Sequence, residues 1–329
     1  MNVVSLFSGV GGLDLGLEQA GMKTIYQCEW DKHATSILQR HWPDVPKWGD
    51  ITTLTATEIL RHGQNPDVIA WGSPCQDLSV AGKRAGLEGE RSGLFHEGMR
   101  IIKELRKETN NAYPRISIWE NVAGALSSNR GADFGIILDE MAQAGAMVIE
   151  WAVLDAQHFG IPQRRRRVFV IAIFDPATAR NCPNPLLPVS QSLRGNTATS
   201  GKARESSART FAFDTQFGSN ANVFENKSPT LKATQAAPSF AYDEYNDTIS
   251  PIHHALRAGT KQSTGVLEPT MVVRRLTPIE CERLMGWPPG WTEGQADTHR
   301  YKQCGNGVAS PVAKWIAQHI LNIPKDPAQ

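Results

Sequence analysis

The sequence is poor in cysteine, in net charge and in long apolar runs, and each shortage removes a class of protein. Only five of 329 residues are cysteine, namely Cys28, Cys75, Cys182, Cys281 and Cys304. They are odd in number and scattered, with no Cys-x-x-Cys pair and no histidine pair nearby, so neither a disulfide framework nor a structural metal is expected. The longest apolar run, Val168–Phe174, is far too short to cross a bilayer. No basic segment leads into an apolar stretch with a small-residue cleavage site at the N-terminus, so the protein is expected to stay in the cytoplasm where it is made. A net charge of +1 sets it apart from strongly basic nucleic-acid binders and leaves only local charge to consider. That charge sits at Lys83 and Arg84, in the run Arg164 to Arg167, and at Arg274 and Arg275.

What is present reads as a globular α/β protein, long enough for one large domain carrying a smaller one. Short β-branched runs alternate with amphipathic stretches from Val3 to Ile173, the pattern of strand–helix units around a mostly parallel sheet. Strands are expected near 3–7, 24–28, 67–71, 116–119, 147–154 and 167–173, with helices over 32–40, 94–107 and 134–144. Leu13, Leu17 and Ala20 recur at helical spacing after the first strand, and Gly21 follows as a cap. Beyond Phe174 the texture turns to Ser, Thr, Asn, Gln, Gly and Pro as far as about Met271. Phe211, Phe213, Phe217, Phe224, Phe240 and Tyr242 give this insert something to pack, so a small loop-rich domain is expected rather than a linker. Regular structure returns at 277–287 and in a last amphipathic helix over 308–321. The expected domains are 1–175, 176–272 and 273–329, the final helix returning to the first of them.

Several short segments carry chemistry. Phe7-Ser-Gly-Val-Gly-Gly12 closes the first strand and opens the first helix, so Gly9, Gly11 and Gly12 let backbone approach a ligand at a helix N-terminus. Glu29, about twenty residues beyond Gly9 at the end of the second strand, can accept both hydroxyls of a ribose. Together they point to an adenosine-containing cofactor, either a methyl donor or a dinucleotide. Asp50, followed by Ile51, can accept an adenine amine or simply cap its loop. Gly72-Ser-Pro-Cys75-Gln76 follows a buried strand, so Cys75 lies at the carboxyl edge where open α/β sheets place ligands. A cysteine there is either a small buried apolar residue or a nucleophile. Ile116-Ser-Ile-Trp119 leads to Glu120-Asn-Val122, which sets a carboxyl at the same edge. Gln163 precedes the four arginines, and strand alternation turns Arg165 and Arg167 one way, Arg164 and Arg166 the other.

Taken in order, these blocks resemble the cytosine-C5 DNA methyltransferases of bacteria and phages, from Val3 to about Ile173 and again from Arg275 to the last helix. The Pro74-Cys75-Gln76, Glu120-Asn-Val122 and Gln163-x-Arg165-x-Arg167 blocks carry the resemblance. So do Arg275-Leu-Thr-Pro-Ile-Glu280, Arg283-Leu-Met-Gly-Trp-Pro288 and Gln303-Cys-Gly-Asn-Gly-Val308. Two positions depart from the pattern: the family commonly has Phe where Trp287 stands and Ser where Gly307 stands. The resemblance implies a Rossmann-like sheet and S-adenosylmethionine as donor. Phe7, Gly9, Gly11, Gly12, Glu29, Trp30, Asp50, Ile51, Pro74, Leu94, Asn306 and Val308 would hold that donor. It implies catalysis by Cys75, Glu120, Arg165 and Arg167 with Gln76, Arg165 being the guanidinium best placed to favour the Cys75 thiolate. Contacts to double-stranded DNA are implied for Ser79, Lys83, Arg84, Gln163, Thr230, Leu231 and Arg275, with residues 76–92 as a lid and the insert as target recognition domain. A monomer in a bacterial or phage-infected cell, in some systems alongside a restriction endonuclease, completes the implied picture. The alternatives are an RNA cytosine methyltransferase, which the long insert and Ser73 before Pro74 disfavour, and a nicotinamide dehydrogenase, which leaves Cys75 and Glu120 without a task.

Overall fold

The computed structural model describes residues 1–74, 93–188 and 276–325, together with the backbone of five short strands between 211 and 274. The chain divides into two units: 1–154 with 167–187 and 313–329, and 155–166 with 188–312.

The first unit is built on one seven-stranded sheet. Its strands are β1 (Asn2–Leu6), β2 (Lys23–Cys28), β3 (Lys47–Trp48), β4 (Val68–Trp71), β5 (Ile116–Val122), β6 (Val148–Asp155) and β7 (Arg166–Ile173). They lie in the order β3-β2-β1-β4-β5-β7-β6, parallel from β3 to β5, with β7 antiparallel to β5. All the strands read from the sequence are present. The strand that reading passed over, β3, is two residues long and shows no periodicity; pairing of Gln27 with Lys47 and Cys28 with Trp48 makes it. β4 and, from Val168, β7, buried on both faces, read as unbroken apolar runs, and β1 and β5, the latter as far as Trp119, as apolar runs broken by single buried serines, which is why they are legible.

Helices α1 (Gly12–Gln19), α2 (Lys32–His41), α3 (Ala56–Leu60), α4 (Gly93–Glu108), α5 (Ala132–Gln143) and α6 (Pro176–Asn181) flank the sheet. α4 buries Phe95, Met99, Ile102 and Leu105 at helical spacing against Trp71, Trp119 and Val170. Each such side chain stabilises the fold by about 1.5–3 kcal/mol. Gly98 permits the close approach, since a Cβ there would lie 2.3 Å from the Trp71 ring. Polar groups are buried beneath the first helix too. Ser5 Oγ donates to Asp14 Oδ2 at 2.9 Å and Gln27 Nε2 donates to Oδ1 at 2.9 Å. Burial, opposed by these bonds, lifts the Asp14 carboxyl to about 6.

In the second unit, α7 (Pro278–Leu284) starts with a capping box: Thr277 Oγ1 accepts from Glu280 N at 3.3 Å and Glu280 Oε2 accepts from Thr277 N at 2.7 Å. α8 (Asp297–Asn306) follows, and α9 (Ser310–Leu321) passes from the second unit into the first at Ala313. The buried carboxylate of Glu282 ties the turn between α7 and α8, accepting from Gly290 N, Thr292 N and the Arg300 guanidinium at 2.7, 2.9 and 3.0 Å. The insert contributes Phe211–Phe213, Val223–Glu225 and Ser239–Ala241 as a three-stranded antiparallel sheet, and Val266–Leu267 with Val273–Arg274 as a two-stranded one. The partition departs from the expected boundaries at 175 and 272. Residues 155–166 join the second unit, the first junction after β7 falls between Leu187 and Pro188, and the expected 273–329 segment is divided at Ala313. Among the described residues no helix is long and apolar enough to cross a membrane.

Candidate active site

The turn after β1 takes left-handed backbone at Phe7, Gly9 and Gly11, with φ of 54°, 56° and 80°. Gly11 has a second reason to be glycine, because a Cβ would lie 2.4 Å from the Trp42 ring, whereas nothing stands within 4 Å of a Cβ at Gly9. The space over Gly9 is open to a ligand. Glu29, just past β2, meets this turn as its spacing foretold: Gly9 N donates to Oε2 and Asp31 N donates to Oε1, each at 2.7 Å. Trp30 beside it is 76% exposed, a free aromatic face. Asp50, past β3, caps a short 3-10 turn with Oδ1, which accepts from Thr52 N at 2.9 Å and Thr52 Oγ1 at 2.8 Å. Ile51 does not line open space; it is buried in the core, and its carbonyl accepts from Arg100. Burial, then the carboxylates of Glu29 and Asp50, pushes the Cys28 thiol up to about 12. Leu94 and Pro74 are half-buried, Leu94 packing on the core from the first turn of α4. Asn306 is exposed and Val308 half-buried where α8 ends in the second unit.

The carboxyl edge at β4 and β5 holds the next group. Parallel pairing of Trp71 with Trp119 brings Gly72-Ser73-Pro74, the approach to Cys75, alongside Glu120 and Asn121. Glu120 is 8% exposed, and its Oε2 stands 3.1 Å from where a Gly72 Cβ would be. Asn121 Nδ2 donates to Ser73 O at 3.1 Å and to Ser73 Oγ at 3.3 Å, and Trp119 Nε1 donates to Ser73 Oγ at 3.2 Å. The segment leading to Cys75 is therefore held by two residues that sequence reasoning gave no task. The only hint was that Asn121 sits inside a quoted motif; neighbouring strands are not neighbours in sequence.

Arg167 Nε lies 3.1 Å from Glu120 Oε1, across the antiparallel pairing of β7 with β5. Of the two arginines expected to act, Arg167 is the one that meets Glu120. Strand alternation holds, with Arg165 and Arg167 buried, Arg166 exposed and Arg164 half-buried, but β7 begins at Arg166 and Arg165 precedes it. Arg165 belongs to the second unit, where its guanidinium donates to Gly305 O at 3.1 Å and Gly307 O at 2.5 Å. Gln163, expected at the nucleic acid, is instead fully buried in that unit, its Nε2 donating to Leu284 O at 2.9 Å. Both side chains brace the C-terminal segment because its backbone carbonyls at 284, 305 and 307 supply acceptors that buried donors require.

Cys75, Gln76, Ser79, Lys83, Arg84, Thr230, Leu231 and Arg275 lie outside the described residues, as does the lid reading of 76–92. The thiols that are described offer no nucleophile: burial raises Cys28, Cys281, Cys304 and, less, Cys182, which favours the protonated form. Among the described residues no three metal-ligating side chains gather.

A model of the C-5 cytosine-specific DNA methylase family matches residues 1–322. The type II methyltransferase M.NgoBI of Neisseria gonorrhoeae is 30% identical over 94% of this chain and 89% of its own length. M.MspI of a Moraxella species is 30% identical over 96% of this chain and 69% of its own. A protein of Escherichia phage P1 named DNA N-6-adenine-methyltransferase is 26% identical, and this chain spans 60% of its length. Among solved structures, an E. coli prophage-encoded DNA modification methyltransferase superposes with a TM-score of 0.64 at 20% identity, covering 98% of this chain and 99% of that one. The S. pombe Dnmt2 methyltransferase does so with a TM-score of 0.63 at 17% identity, covering 98% and 99%. With the sheet order, the acids past β2 and β3 and the hold of Trp119 and Asn121 on the approach to Cys75, a match over nearly its whole length places this chain in the C-5 cytosine-specific DNA methylase family.

Proposed function

We propose that the protein transfers a methyl group from S-adenosylmethionine to C5 of a cytosine turned out of duplex DNA, within a specific sequence, through a covalent bond between Cys75 and C6. The observation that carries the reading is Glu120 at the carboxyl edge of β5, over Gly72 and on Arg167, with Asn121 holding the chain that runs into Pro74-Cys75.

The residues at the glycine turn fit an adenosine-containing donor: an open approach over Gly9, an acid at Glu29, an exposed indole at Trp30 and a second acid at Asp50. Glu29 would hold the ribose hydroxyls and Asp50 the adenine amine. When bound, S-adenosylmethionine supplies an electrophilic methyl group to C5. C5 of cytosine is a poor nucleophile, and the Cys75 thiolate answers this by adding to C6, so the electron pair of the C5–C6 bond becomes available at C5. Glu120 carries a proton to N3 as that addition pushes electron density into the ring, and Arg167 orients the carboxyl for it. A base then takes the C5 proton, and the Cys75–C6 bond breaks to restore the ring and the thiolate. A stacked base is out of reach of these groups, so the nucleotide leaves the duplex first. Methylation of an exocyclic adenine amine, as in the name of the phage P1 relative, gives Cys75 no work. The insert is read as the recognition domain, facing base edges in the major groove.

Bisulfite sequencing of plasmid from cells expressing the wild-type protein and Cys75→Ser tests this. Protected cytosines in one sequence context with wild type, and none with Cys75→Ser, are expected. Equal protection by Cys75→Ser refutes the nucleophile, and methyl transfer to RNA but not duplex DNA by the purified protein refutes the substrate.

A further inference from the structure

We infer that Trp287 is a positioning residue for the donor-binding turn at 305–308, and that it can act so only because residue 307 is glycine. The inference rests on reading Asn306 and Val308 as donor contacts. Gly307 caps α8 with φ −72° and ψ 170°, extended backbone that any residue adopts, so its own conformation does not call for glycine. Its neighbour does. A Cβ at 307 would lie 2.5 Å from Trp287 Cζ2, 2.6 Å from Cη2 and 3.0 Å from Gln303 O. Trp287 is buried and cannot swing aside into solvent, and its Nε1 donates to Val308 O at 3.2 Å. Arg165 takes the carbonyls of Gly305 and Gly307, and Ser310 N donates to Met285 O at 3.1 Å, two residues before the indole. The carbonyls at 305, 307 and 308 are thus all drawn onto buried donors, while Asn306 is the exposed residue of the turn.

Trp287 and Gly307 are also the two positions where the chain departs from the pattern it resembles, which commonly has Phe and Ser there. Their contact makes the two departures one exchange. The outer ring of the indole occupies the volume that a side chain at 307 would need, and the indole N–H adds a bond to Val308 O that a phenyl ring lacks. Volume-conserving exchanges between facing positions are tolerated where either change alone leaves a void or a clash.

The test is a double-mutant cycle of Trp287→Phe, Gly307→Ser and the double variant, read by calorimetric titration with S-adenosylhomocysteine, steady-state kinetics and thermal unfolding. Each single change is expected to weaken S-adenosylhomocysteine binding roughly tenfold and to raise the KM for S-adenosylmethionine more than it lowers kcat. The double variant is expected to recover most of that loss. Should Gly307→Ser fail to fold, adding it to Trp287→Phe must still improve donor binding. Effects that simply multiply overturn the proposal, as do single variants that lose thermal stability while binding the donor normally. Wild-type protein that binds no S-adenosylhomocysteine overturns the donor-site reading and this proposal together, whereas wild-type affinity in all three variants overturns this proposal alone.

Discussion

Replacing Asp14 by asparagine isolates the buried carboxyl under the glycine turn. In the folded protein this acid lies at about 6, against 3.8 when unfolded, so the fold binds its proton more tightly than the open chain does. A raised acid stabilises the fold fully only below the unfolded value; the contribution falls as pH rises from near 4 to near 6 and is level beyond. The whole shift corresponds to about 3 kcal/mol, of which about 1–2 kcal/mol is lost between pH 5 and 8. Asparagine has no charge to bury and can keep both bonds. Ser5 Oγ still donates to the amide oxygen, and Gln27 Oε1, buried without a partner among the described residues, can accept from the new N–H if the Gln27 amide turns over. Urea unfolding of both proteins, followed by circular dichroism at pH 5 and pH 8, gives the difference in stability directly, since groups common to both cancel. That difference should move in favour of Asp14→Asn by about 1–2 kcal/mol on going to pH 8. A difference that stays constant, or moves the other way, refutes the claim that burial raises the Asp14 carboxyl to about 6.

Removing Asn121 as Asn121→Ala strips the grip on Ser73, and methyl transfer should fall on the order of a hundredfold with S-adenosylhomocysteine affinity retained; single-turnover kinetics and calorimetry check the split. Arg167→Ala leaves Glu120 buried without its cation, so stability should drop by roughly 3–5 kcal/mol together with activity, measured by denaturant titration. Gly11→Ala meets the Trp42 ring at 2.4 Å whereas Gly9→Ala meets nothing, though both carry positive φ. Thermal unfolding should therefore show Gly11→Ala the less stable by roughly 1–3 kcal/mol, whereas donor affinity should suffer at Gly9, where the added Cβ enters the space left open to a ligand.

Short runs rich in apolar and β-branched residues made the sheet legible, because strands buried on both faces carry few polar residues to interrupt them. Asp297–Asn306 was not legible as a helix: its sequence is mostly polar, and only Gln303, Cys304 and Gly305 are buried. Glu29 followed from spacing alone, since the distance from a glycine turn to the end of the next strand is set by one helix and one strand. The task of Arg165 did not follow. Both Arg165 and Arg167 are buried, but β7 begins at Arg166, so alternation along the strand does not reach Arg165, and strand starts leave little trace in composition. Gln163, which the resemblance gave to DNA, is buried instead, because the carbonyl that takes its amide, Leu284 O, comes from more than a hundred residues away.

The chain passes between its two units four times, at 154/155, 166/167, 187/188 and 312/313. No single cut can therefore release either unit, and transplanting the insert as one contiguous piece has only a narrow admissible window. A graft confined to residues 188–275 leaves the hairpin of 155–166 with the carbonyls at Leu284, Gly305 and Gly307 that Gln163 and Arg165 hold. A graft running on toward 312 would import foreign acceptors for those two buried donors, and is expected to fail through the recipient's hairpin.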